Sequence, residues 1–305
     1  RQDAPTLLLL SQQHKMIGAW HRGQGQPKKA IEHMQQGRLA LDAAKEAGAH
    51  PQEHLLALVE HAVIHVPLLA ADRKASMRVA EEAGAAVAEL RKLAGQPDAF
   101  PHQAASVEAM HVGIAERGGR FVDAVVHADR AVALRRQAAA EEPTSRERRT
   151  ALAISVATAG NTRLFAGEQF QAGVLPAPAD DEPENVTRAR EYLADSVRLG
   201  IEAADLYRGL LREDPKNAAW RMWLVTKLYN TAAGMFYLAR WEEGFALIEA
   251  NRSVASKLVE EAPLDPFRRF MQIRASTLRG TFKYSRAKSS YPSDIPLSIS
   301  LFEEA

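Results

Sequence analysis

The sequence predicts an all-α protein, a solenoid of antiparallel helix pairs stacked one on the next. Three observations carry that prediction. Apolar residues recur at helical spacing between Pro and Gly breaks along most of the 305 residues. Residues 214–262 read as two helices joined by a tight turn near Arg240, and weaker copies of this unit occur elsewhere. Such a unit cannot bury its apolar faces alone, so the copies must stack. The composition, 46% hydrophobic and 25% charged, suits a folded chain. The length allows two ordinary domains or one extended array.

Residues 6–22 are apolar at helical spacing and stop at Gly23-Gln24-Gly25, and Pro27 opens a second helix to about Ala47. Gly18 and Ala30 are small, as a close helix pair needs, while Ile17, Ile31 and Met34 supply bulk. The next helix spans 51–71, with Pro67 kinking or breaking it. Asp72 is placed to cap a helix reaching about Ala94, which Gly95-Gln96-Pro97 ends. Residues 101–117 and 120–141 form a third pair around Gly118-Gly119, and Ala124, Ala128 and Ala131 line one face of its second helix. Residues 145–167 begin a fourth pair, whose second helix covers 185–212. Between them, 168–184 holds three prolines and the acids Asp180, Asp181, Glu182 and Glu184, the composition of an exposed loop. The stretch 214–262, opened by Pro215, is the fifth pair, and 266–284 starts a sixth with no second helix. Beyond Tyr284 the helical pattern stops, and Leu297, Ile299 and Leu301 alternate with Ser298 and Ser300 at the period of a strand.

Phe267 lies 47 positions after Trp220, whereas Trp220 lies 72 after the equivalent Arg148. The excess of 25 is about the acidic loop plus a turn, so the loop is an insertion within a repeat. Loop closure tolerates this, since each doubling of length costs only about 0.6 kcal/mol. These residues resemble tetratricopeptide repeats. The match is Gly18, Gly25 and Ala30 in the first pair, Gly119, Ala124 and Ala131 in the third, and Ala232, Trp241 and Gly244 in the fifth, before the Asp265-Pro266 boundary. Asp214-Pro215-Lys216-Asn217, followed by Trp220, is the most telling piece. A spacing of 47 exceeds the usual 34 or so. It is similar to the longer-helix variety found beside signalling modules of bacterial proteins, such as Ser/Thr kinases and large regulatory NTPases. The resemblance implies a repeat array over 1–285, with the insertion at 168–184, and an extended tail or linker over 286–305.

Net charge is +1, from 39 basic and 38 acidic residues, which argues against a nucleic-acid partner. With no cysteine there is no disulfide, thiolate chemistry or cysteine-ligated metal. A cytoplasmic location is expected, although a disulfide-free chain fits other compartments too. No run of about 18 apolar residues exists, so no membrane partner is expected. The chain begins at Arg1 without Met and reads as a fragment or processed form, with a further domain expected outside it.

All ten histidines lie between His14 and His127. His54, His61 and His65 share one helical face, and His61 and His65, four apart, could hold one metal ion. His54 stands about 10 Å up the helix and no third ligand is evident. A stripe on a packing helix is the plainer reading, so no metal and no other cofactor is expected. The stretch 23–29 hints at a phosphate loop but lacks the Walker pattern, and Pro27 removes an amide, so it reads as a repeat turn. No serine elbow and no pair of carboxylates across a cleft is visible, so no enzyme is expected.

Trp220, Trp223, Tyr229, Phe236, Tyr237 and Trp241 are dense for a chain that is 7% aromatic, and most are expected between repeats in the core. The tetratricopeptide resemblance further implies that Tyr229, Phe236 and Tyr237, together with Lys15, Arg22 and Asn161, lean toward the concave face. These six are the candidate partner-binding residues. The expected function is binding of a protein or peptide through the repeat surface, on a few aromatic and Arg or Lys anchors. The alternative is a regulatory region of a larger bacterial signalling enzyme (kinase, protease or NTPase) packing on its catalytic domain. A weaker option is a hydrolase or metal-dependent enzyme using the histidine face. The chain's own segment 297–302 is a further candidate occupant of the repeat surface.

Overall fold

The computed structural model describes residues 3–171 and 182–290, and these form eleven α-helices with no strand among the described residues. Packing divides the chain into two compact units, one ending at Pro143 and the other starting at Thr144. No helix among the described residues is long and apolar enough to cross a membrane.

The first unit holds α1 (Ala4–Gly23), α2 (Pro27–Glu46), α3 (Pro51–Leu68), α4 (Arg73–Ala94), α5 (Pro101–Arg117) and α6 (Phe121–Glu141). Short connections fold them into the antiparallel pairs α1–α2, α3–α4 and α5–α6, and the first helices of successive pairs also touch, α1 with α3 and α3 with α5. Helix starts follow local chemistry. Proline occupies the first turn of α1, α2, α3 and α5, where a missing amide costs nothing. Asp72 accepts from the Ala75 amide at 2.9 Å and caps α4. Gly95, at φ 65°, closes α4 in the left-handed region that glycine enters freely. Helix α3 ends one residue past Pro67, short of the expected Ala71, because the Leu69 amide turns back onto the His65 and Val66 carbonyls. The α1–α2 contact is close because Gly18 has no side chain: a Cβ there would meet the Ala30 carbonyl at 3.2 Å and the Met34 sulfur at 2.9 Å. Ala30 and Met34 are fully buried. Further along, Val59, Val66, Val87, Met110 and Ile114 pack among small alanines from α3, α4 and α5. Each fully buried side chain of this size contributes about 1.5–3 kcal/mol.

The second unit holds α7 (Arg146–Gln171), α8 (Glu182–Glu213), α9 (Ala218–Tyr237), α10 (Trp241–Glu261) and α11 (Pro266–Ser290). Helices α7–α8 and α9–α10 pair, α8 packs on α9, α11 lies on α10, and α9 touches both α7 and α11. Several boundaries differ from the sequence reading. Helix α7 continues to Gln171 because Phe170 is buried and stacks on Tyr192 of α8 at 5.5 Å. Together with the start of α8 at Glu182, this makes both ends of the stretch read as a loop helical; residues 172–181 lie outside the described residues. Pro215 does not open α9. Asn217 does, its Oδ1 accepting from the Trp220 amide at 3.1 Å, while Pro215 sits in the preceding turn. Helix α11 continues past Tyr284 to Ser290, held by the buried Phe282 and Ala287. The strand-like segment 297–302 lies outside the described residues.

Of the six aromatics, most of them expected in the core, Trp220 alone is buried; Trp223 and Tyr237 are 37% and 39% exposed, and Tyr229, Phe236 and Trp241 are half-buried. The aromatic core is centred on Phe282, ringed by Phe236, Trp241 and Phe245 at centroid distances of 5.3–5.8 Å. Gly244 admits that ring: a Cβ there would fall on the Phe282 ring edge.

Candidate functional site

On α7 the side chains of Asn161, Leu164, Phe165 and Glu168 recur at helical spacing and share one face. On α9 the same holds for Asn230, Ala233 and Tyr237, with Tyr229 and Phe236 flanking. On α11 it holds for Arg274, Leu278 and Thr281. These three stripes, one from each first helix, line a cleft of about 230 Å³, with Asn161 beneath it, bonded to the lining Asn230.

The polar floor is built from inside outward. Lys227 is 3% exposed. Its ammonium donates to the Ala157 carbonyl at 2.8 Å and to Asn161 Oδ1 at 2.6 Å. Asn161 Oδ1 also accepts from Asn230 Nδ2 at 3.0 Å, so the buried amine orients both asparagines. Gly160 leaves room for it; a Cβ there would stand 3.3 Å from Nζ. Burial pushes the Lys227 amine down to about 7.

The walls carry opposite charges. Glu168 is half-buried on α7; burial raises its carboxyl, and a hydrogen bond from the Tyr237 hydroxyl pulls it part of the way back. Among the described residues no cation contributes to that balance. Burial, and then the Glu168 charge, push the Tyr237 phenol up. On the α11 side the Arg274 guanidinium lies 4.1 Å from the Tyr229 ring centroid and 5.6 Å from that of Phe270, a cation–π stack.

Four of the six candidate residues, Asn161, Tyr229, Phe236 and Tyr237, therefore come together here. Lys15 and Arg22 belong to the first unit. Lys15 lines a separate cleft of about 460 Å³ between α1 and α3 and pairs with Glu60 at 2.5 Å. Arg22 is exposed in the last turn of α1 and does not line that cleft. The sequence reading missed Glu168, Lys227, Asn230 and Arg274. Glu168 opens the stretch whose composition reads as an acidic loop, although it stands seven residues from Asn161, two helical turns along the same face.

The weak metal candidates have another occupation. His61 is 3% exposed and its Nε2 bonds the Met34 carbonyl at 2.7 Å, fastening α3 to α2. Its ring lies edge-on to His65 at 5.3 Å between centroids. Burial lowers His61 to about 4. Among the described residues no three His, Asp or Glu side chains gather closely enough to hold a metal.

No family model matches the chain, and no curated protein matches it.

Proposed function

We propose that this chain is a cytoplasmic interaction module of tetratricopeptide-like build, and that a peptide segment of a partner protein lies in the cleft across α7, α9 and α11. One observation carries the reading: partly exposed Tyr229, Phe236 and Tyr237 share that face with the Asn161–Asn230 pair, which the buried Lys227 holds in place. Rings of this kind supply contact area at low entropic cost. An asparagine amide offers both a donor and an acceptor, which an extended backbone can use along its length. The contacts of α9 with both α7 and α11 put three first helices side by side, the packing this mode of binding needs.

Selection of random dodecapeptides displayed on phage, with the full chain as bait, tests the reading. Enriched peptides should lose about tenfold or more in affinity to Tyr229→Ala, roughly 1.4 kcal/mol, while helicity by circular dichroism stays unchanged. Failure of any peptide to enrich, or binding indifferent to Tyr229→Ala, would count against it.

A further inference from the structure

The cleft holds an electrostatic demand that the described residues lining it leave unmet. Glu168 is half-buried between aromatic side chains, and among the described residues its one polar partner in the cleft is the Tyr237 hydroxyl. A carboxylate removed from water without a cation is disfavoured in its charged form. Elsewhere in the second unit even more exposed acids are paired: Glu213 with Arg149, Glu261 with Arg221, Glu249 with Arg279. Arg274, in the same cleft, does not fill the role, since its guanidinium is stacked on Tyr229 and Phe270 and makes no ion pair with Glu168.

We infer that the segment bound in this cleft carries a Lys or Arg side chain, whose cation sits against Glu168 beside the rings of Phe165 and Tyr237. The inference rests on the peptide-binding reading above and adds the chemistry of its anchor. The cation supplies the missing counter-charge, and the ring faces add a cation–π contribution that grows as water leaves. The aliphatic stem of the same side chain lies along Leu164 and Phe165, as long basic side chains do on apolar surface. An acidic anchor is disfavoured, because it would bring a second negative charge into a cleft that already holds Glu168. The bound state also requires Glu168 to be ionised. Its carboxyl is raised in the free protein, so affinity falls as pH drops through that titration.

Peptides enriched on the full chain supply the probes. The proposal expects a Lys or Arg at one fixed position among them. Fluorescence anisotropy then compares each peptide with its citrulline or norleucine counterpart, on the wild-type chain and on Glu168→Gln. The expected result is a loss of about tenfold or more on removing the peptide's charge. Glu168→Gln should give a similar loss, with little further loss when both changes are combined, and should remove the fall in affinity at acid pH. The peptide substitution needs no protein variant, so it stands even if Glu168→Gln disturbs folding. Peptides that enrich with no basic position, or with an acidic one, or that bind equally well as citrulline, overturn the inference while the peptide-binding reading survives. If no peptide enriches, or binding ignores Tyr229→Ala, both fall together.

Discussion

Lys227 has two carbonyl acceptors and almost no water around it. Its unfolded amine binds a proton up to about 10.5, its folded amine only up to about 7. Between those values the unfolded state holds more protons, so stability rises with pH across this window. Lys227→Met keeps the volume and removes the buried charge. It should leave the melting temperature unchanged or raised, as replacement of a buried ion often does. It should also flatten the rise in stability between pH 7 and 10.5, and weaken binding of the selected peptides, because Asn161 loses the donor that fixes it. Thermal melts across pH and anisotropy check both halves. Gly244 gives a second single-residue test: Gly244→Ala puts a methyl group on the Phe282 ring and should destabilise by about 1–3 kcal/mol, read by chemical denaturation. Gly244 was legible in the sequence as a small repeat position. The ring it admits was not, since Phe282 belongs to a helix beyond the one Gly244 starts and no local pattern links the two.

At the scale of elements, the helices of the first unit meet through histidines. His14 and His33 approach at 3.0 Å through their Nδ1 atoms, a contact that needs one nitrogen unprotonated, and His33 also stacks on His21. Burial first, then the charges of His14 and His21, lower His33, against a smaller opposing pull from Glu32. His61 is lowered to about 4 chiefly by burial; the Met34 carbonyl opposes this, while His65, Arg38 and Lys15 reinforce it. For a base lowered on folding, stability is full above the unfolded value of 6.5 and is lost as pH falls toward the folded value. For His61 alone that amounts to about 3 kcal/mol. Amide protection factors in α1–α3 should therefore drop between pH 6.5 and 4 before those of α7–α11, a unit with no histidine, and His61→Leu should blunt the effect. Helix starts and stops were legible at caps such as Asp72 and Gly95, but at α9 the proline drew the reading to Pro215, two residues before the Asn217 cap. They were misread where a tertiary contact decided, as at Phe170, whose stacking on Tyr192 carries α7 four residues further.

For the whole molecule, helical periodicity sufficed to read an all-α chain of paired helices, because each pair declares itself within about 50 residues. The site was only half legible. Asn161, Tyr229, Phe236 and Tyr237 could be placed on one face from the resemblance, but Glu168, the carboxyl in the same cleft, reads in the sequence as part of a solvated acidic stretch. The central claim, that the face shared by α7, α9 and α11 holds a partner segment, is tested most directly by hydrogen exchange of the full chain with and without a selected peptide. The account predicts slowed exchange over 161–168, 229–237 and 270–281, with α10 and the helices of the first unit unchanged. Slowed exchange confined to α8, α10 or the first unit, with those three stretches unaffected, would contradict it.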